Sequence, residues 1–357
     1  MEADRRAEVS GPAAYWARRT AGTADSAAGA PMAVPSGQDE GAHAARLMAA
    51  LLSTHAGRDL ADVYPVSWTR TAEGSCATVR LTRTALRPAA VDPHAARARI
   101  QQALRLVYGI GPHHAARFHR AGVSGLADLL PHPVFGPRAR SVLAALTGSP
   151  ADAFACVRDR TSPSHPLLWW TSALCPRDTL LFVDIETLGF FGVPIILVGL
   201  AEWTEEGLLL TQYVARAAED EPALLAALAS HLQRKPVLVT FNGKSFDWPM
   251  LQSRAAYWGL PLQHPGWPHY DLLHFARRAW KDRLADFQAT TIERDVLGIQ
   301  RAHDLPGSHV PEFYERYRQD GNIGPLTYII DHNQQDLIGL VHIFDRLTAD
   351  WDTVDAG

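Results

Sequence analysis

The 357-residue chain changes character along its length when read for the spacing of its apolar and polar positions. From Thr179 the apolar runs are short and bounded by turn residues. Runs at 179–184, 194–201 and 207–214 are predicted strands, the last two flanking a Glu205-Glu206-Gly207 break that suits a hairpin. A helix follows in PALLAALASHLQ, then a strand in PVLVTFN and a helix from Ser245 to about Trp258. Over 325–348, Leu326, Ile329, Ile330, Leu337, Leu340, Val341, Phe344 and Leu347 recur at helical spacing, which predicts a helix with one apolar face. Three strands, a helix, a strand and then helices predict an α/β fold over residues 165–350: a mixed β-sheet flanked by helices.

Upstream the pattern differs. Residues 94–147 read as helical, and within them Gly109-Ile110-Gly111 makes a tight turn ahead of a helix starting at Pro112. A second turn at Gly122 leads to a helix for which Ser124 suits the N-cap. This arrangement resembles a helix-hairpin-helix module, in which the main-chain N–H groups of such a turn meet a phosphate of DNA. Arg117, Arg120, His113, His114 and His119 stand close by in sequence. Residues 148–164, with TSPSHP, are expected to be a linker. Residues 1–42, rich in Ala, Gly, Ser and Pro, are expected to be a disordered tail. Residues 43–93 hold a short helix at 44–52 and strand-like alternation over 62–89, with no functional assignment.

Composition adds little direction. The chain is 47% apolar and 20% charged with a net charge of −4, an ordinary globular balance without an overall basic signal for nucleic acid. An acidic metal cluster would itself contribute to that balance. Three scattered cysteines and the absence of CxxC speak against a zinc knuckle or disulfide framework, so a reducing cytoplasm is expected. No apolar run approaches bilayer length, so no membrane association is expected.

Three motifs carry the chemistry. In LLFVDIETLGFFG an apolar strand ends on Asp184 and Glu186, which alternation puts on one face with Ile185 opposite. Two carboxylates so placed raise each other's pKa unless a cation offsets them, and hard divalent ions prefer oxygen ligands. In PVLVTFNGKSFDWPML a strand delivers Asn242 and Gly243 into a turn, and Asp247 follows in the first turn of the next helix. In IIDHNQQDLIGLVHIF, His332 and Asp336 lie four apart and share a helix face.

The order Asp, Glu, Asp, Asp resembles that of the DEDD 3′–5′ exonuclease superfamily with its ribonuclease-H-like fold. The chain is more closely similar to the YprB-type ribonuclease-H-like family through DIETLG, FNGKSFDWP, YDLLHFARR (270–278), DLPGSHVPEFYERY (304–317) and HNQQDLIGL (332–340). The resemblance covers about residues 165–348. It implies that Asp184, Glu186, Asp247 and Asp336 bind two Mg²⁺ or Mn²⁺ ions, and that His332 orients or deprotonates the attacking water. The pattern departs at one place. The histidine subclass has its His five before the last Asp, where this chain has Asp331; the tyrosine subclass has a Tyr four before, where this chain has His332.

Such a site suits phosphodiester hydrolysis, because paired divalent ions activate water and stabilise the leaving oxygen. The expected activity is a 3′–5′ exonuclease on single-stranded DNA or RNA, with DNA favoured by the helix-hairpin-helix resemblance. Candidate substrate contacts are Asn242 and Lys244 at the second motif, Phe190 (with Phe191) after the first, and Gly109 and Gly111 in the upstream turn. Asp271 reads as a helix N-terminal residue. Two alternatives stay open: a structure-specific endonuclease of the same fold, and a non-catalytic nucleic-acid-binding protein.

Overall fold

The computed structural model describes residues 37–190, 192–263, 266–301 and 305–352. The expected tail therefore lies outside the described residues up to position 36, as does Phe191. Helix α1 (Gly37–Thr54) takes in residues 37–42 that the composition had assigned to the tail. Strands β1 (Val66–Thr71) and β2 (Gly74–Arg83) follow as a hairpin. Next come the helices α2 (Pro93–Gln102), α3 (Pro112–Arg120), α4 (Gly136–Thr147), α5 (Pro150–Arg158) and α6 (Pro166–Trp170). The α/β part runs β3 (Leu180–Thr187), β4 (Ile195–Thr204), β5 (Gly207–Val214), α7 (Glu221–Arg234) and β6 (Val237–Thr240). It continues through α8 (Asp247–Tyr257), β7 (His269–Asp271), α9 (Leu272–Trp280) and the single turn α10 (Ala289–Ile292). Helices α11 (Val310–Asp320) and α12 (Gly324–Asp352) complete it.

The strands form one seven-stranded mixed sheet in the order β1-β2-β5-β4-β3-β6-β7. Pairing is antiparallel from β1 through β3 and parallel from β3 through β7. Residues 66–83, which the sequence left without a role, extend the sheet by pairing β2 with β5. Their partner lies about 130 positions downstream, so local pattern alone could not assign it.

Period-two alternation divides β3 between two cores. Leu181, Val183 and Ile185 enter the core under α7 and α8, whereas Leu180 and Phe182 face α12. Phe182 meets Phe344 of α12 edge-on, with ring centroids 5.6 Å apart. The apolar stripe expected over 325–348 is buried at every named position. Trp169 of α6 stands at the junction between the helical module and this face, packing on Phe275, Phe344 and Trp351 at 5.0, 4.9 and 5.5 Å. The module and the sheet thus share a continuous core.

Two expectations for the module need correction. Residues 150–158 form α5 instead of a linker, because Ser149 and Asp152 make a reciprocal capping box and Phe154 and Val157 find a buried face. Ser124 does not cap an α-helix: its hydroxyl and N–H both donate to Asp128, which opens only a 3₁₀ turn at Leu126–Leu129. The turn at Gly109 is as expected, with φ of +93° where a side chain would be strained. Among the described residues no helix is long and apolar enough to cross a membrane, and Cys76, Cys156 and Cys175 are free.

Candidate active site

The site forms where three elements meet. Strand β3 presents Asp184 and Glu186 on its α12 face, in register with Gly199 and Leu197 of β4. A register shift after Glu186 ends the regular pairing there. Asp247 is the first residue of α8, one position later than a Ser245 cap would have begun the helix. The displacement has a local cause. Asn242 turns left-handed at φ +60°, and its carbonyl accepts from both Ser245 and Phe246 before the helix starts. Main-chain N–H groups of Asp247 itself and of Ile185 favour the charged form of the Asp247 carboxylate. Helix α12 contributes His332 and Asp336, whose Nε2 and Oδ2 are 3.4 Å apart.

Donor atoms of Glu186, His332 and Asp336 all lie within 4.8 Å of one another. Asp184 and Asp247 border this group, and each feels the charge of Asp336. Burial pushes the Asp184 carboxyl well above the ordinary range, and the charges of Asp336, Glu186 and Asp247 push it further. Glu186 is raised by burial and then by Asp336 and Asp247. Asp247 is pushed up to about 7, chiefly by burial. Mutual repulsion of carboxylates withdrawn from water is unfavourable in itself. A donor set of carboxylate oxygens with one imidazole fits a hard divalent cation such as Mg²⁺ or Mn²⁺.

Three further residues, to which the sequence assigned no role at the cluster, orient it. Asn333, fully buried, donates from Nδ2 to Asp184 Oδ2 at 2.7 Å. Its own Oδ1 accepts from Gln212 of β5 at 2.8 Å, and Gln334 in turn donates to Gln212 at 2.9 Å. Asn333 and Gln334 sit where the apolar stripe of α12 breaks between Ile330 and Leu337, and that gap is the signal that could have found them. Asp271 caps α9 as expected, but its carboxylate also accepts from the main-chain N–H of Asn242 and Lys244 at 2.8 and 3.1 Å. It therefore holds the turn that delivers Asp247. Tyr328 stacks on His332 at 5.8 Å, and its hydroxyl is tied to the main chain of Leu305.

The proposed substrate contacts fall in two places. Phe190 packs edge-on against Phe246 at 6.2 Å, next to Asp247, and Lys244 is exposed in the turn before α8. Asn242 forms the turn between β6 and Asp247. Gly109 and Gly111 do not join the cluster and instead shape the turn before α3.

A profile of the RNase H superfamily matches residues 181–348. An uncharacterized protein of Bacillus subtilis, YprB, is 33% identical over 176 residues, which cover 48% of this chain and 42% of that protein. The chain thus matches less than half the length of this relative. A family B DNA polymerase of Pyrobaculum calidifontis aligns over 46% of this chain and 24% of its own, with 19% identity and a TM-score of 0.35. Residues 181–348, which carry all four carboxylates and His332, have an RNase H-like fold and are similar in sequence to the matching part of YprB.

Proposed function

We propose that the protein is a metal-dependent nuclease, acting as a 3′–5′ exonuclease on single-stranded nucleic acid with DNA favoured over RNA. The observation that carries this reading is the convergence of Asp184, Glu186, Asp247 and Asp336 from three elements around His332. Two bound Mg²⁺ or Mn²⁺ ions would supply Lewis-acid activation of water and charge neutralisation at the leaving oxygen. The four carboxylates would hold them, and the buried position of Glu186 and Asp247 keeps competing water from these ligands.

His332 orients the attacking water and accepts its proton at a ring nitrogen, the general-base task for which imidazole is the commonest side chain. The stack with Tyr328 and the approach to Asp336 fix the ring for this role. Phe190 supplies an apolar face for the terminal base, while Lys244 and Asn242 meet the strand at the mouth of the site. The turn at Gly109 and Gly111 would take a backbone phosphate further along the strand. Supporting this, Tyr108 is exposed beside it with the guanidinium groups of Arg138 and Arg160 at 5.5 and 5.1 Å from its ring.

The test uses 5′-labelled single-stranded DNA and RNA of equal sequence, with Mn²⁺, Mg²⁺ or chelator. A metal-dependent ladder shrinking from the 3′ end is expected, with His332→Ala slowed by roughly 10²-fold or more while still binding metal. Intact substrate that is merely retarded on a gel would support the non-catalytic binding reading instead.

A further inference from the structure

The helical module is strongly basic in a chain that is not. Residues 93–160 carry nine arginines and three aspartates with no lysine or glutamate, a net +6 against −4 for the whole chain. The three aspartates are engaged locally, Asp128 by Ser124, Asp152 by Ser149 and Asp159 by Arg158. Tyr108 is 63% exposed although its neighbours Val107 and Ile110 are buried, so the main chain is anchored while the ring is left in water. Arg138 of α4 donates from Nη1 to the Tyr108 carbonyl at 2.9 Å. Its guanidinium and that of Arg160, just after α5, stand 5.5 and 5.1 Å from the ring. Neither is paired with a carboxylate among the described residues, whereas Arg216, Arg294 and Arg316 elsewhere on the surface each face an aspartate. The same corner adjoins the candidate active site. Phe154 of α5 packs edge-on against Tyr270 at 5.3 Å, and the next residue, Asp271, holds the turn of Asn242 and Lys244. Arg158, one turn beyond Phe154 with its guanidinium 5.8 Å from that ring, continues the line to Arg160.

An aromatic ring left in water forgoes the free energy of burial, and two cations beside it repel each other. Packing accounts for neither, because Val107 and Ile110 already anchor this segment. A polyanion with stackable bases satisfies both: the ring offers a face to a base, and the guanidinium groups offer donors to phosphates on either side. We propose that Tyr108, Arg138 and Arg160 form a single-strand anchor, remote from the carboxylate cluster, that stacks one base and holds its flanking phosphates. The inference rests on the nuclease reading above, in which the strand's 3′ end lies at the carboxylates. The anchor then grips the same strand several nucleotides upstream, after it has passed Lys244 and Arg158. A single strand suits this ring better than a duplex, whose bases are already stacked on one another.

Fluorescence anisotropy of a labelled oligothymidylate of about 20 nucleotides, titrated with the full chain in chelator at several salt concentrations, tests this without cleavage. Wild type is compared with Tyr108→Ala and Arg160→Gln, both at exposed positions; Arg138 is left in place because it also holds the Tyr108 carbonyl. Tyr108→Ala should weaken binding roughly tenfold with an unchanged salt dependence, as loss of a stack without loss of charge requires. Arg160→Gln should make the slope of log affinity against log salt shallower by about 0.7, the loss of one phosphate contact. With Mn²⁺ present, KM for the same strand should rise in Tyr108→Ala by about the factor seen in binding. Unchanged affinity in both variants, or equal weakening by Tyr108→Ala on single strand and duplex, would overturn the anchor. So would a KM that stays at the wild-type value while binding weakens. If wild type cleaves the strand with Mn²⁺, these results overturn this proposal alone. Binding that responds to the variants as expected, without any Mn²⁺-dependent cleavage by wild type, would support the anchor and overturn the nuclease reading.

Discussion

At the scale of single residues, the carboxylates are set by neighbours that carry no chemistry of their own. Asn333 spends both ends of its amide, one on Asp184 and one on Gln212, so it fixes the carboxylate's orientation through a buried chain of side-chain amides. Partners of this kind orient metal ligands, and their loss costs roughly 10–100-fold in metal affinity or activity. Asn333→Leu keeps the count and branching of side-chain heavy atoms while removing the hydrogen bonds, so Mn²⁺ affinity and turnover should fall by about that factor. Titration of Mn²⁺ into the variant checks this; unchanged affinity would remove Asn333 from the site. The motif residues were legible because DxE on a strand and His four before Asp on a helix are local patterns. Asn333 and Tyr328 were not, because their partners are Asp184 and His332 only in three dimensions.

At the scale of elements, the site depends on how closely α12 lies over the sheet. Gly199 of β4, paired with Asp184, makes that approach possible, since a Cβ there would sit 2.0 Å from Asn333 Oδ1. Gly199→Ala should therefore reproduce the Asn333→Leu loss of Mn²⁺ affinity, although Gly199 touches no ligand of its own. A variant with wild-type affinity would contradict this close-approach account. Element types in the α/β part were legible because β3–β5 and β6 are short apolar runs bounded by turn residues, while α12 carries an apolar stripe at helical spacing. Helix α5 was not legible because it is only nine residues long and its capping box lies among Ser and Pro residues that equally suit a turn. The β1–β2 hairpin was visible as alternation, yet its place at the sheet edge depends on β5, far along the chain.

At the scale of the whole molecule, packing carboxylates under α12 links stability to pH and to metal. Asp247 is raised to about 7 against an ordinary 3.8, Asp184 and Glu186 are raised as well, and burial lifts Asp345 to about 6. A carboxyl raised in the folded state holds its proton more tightly there than when unfolded. Its stabilising contribution is complete below the unfolded value near 3.8 and is lost as pH rises through about 7. In chelator the protein should thus melt at a lower temperature at pH 8 than at pH 5, and Mn²⁺ should raise Tm more at pH 8. Thermal melts under the four conditions check this, and a Mn²⁺ increment that is larger at pH 5 would contradict it. The most direct measurement of the central claim is cleavage of single-stranded DNA across a Mn²⁺ titration, by wild type and by Asp184→Asn of matched Tm. Saturable, Mn²⁺-dependent hydrolysis by wild type, reduced roughly 10³-fold in the variant, is expected if the four carboxylates hold the catalytic ions. Hydrolysis that persists in chelator, or that Asp184→Asn leaves undiminished, would contradict it.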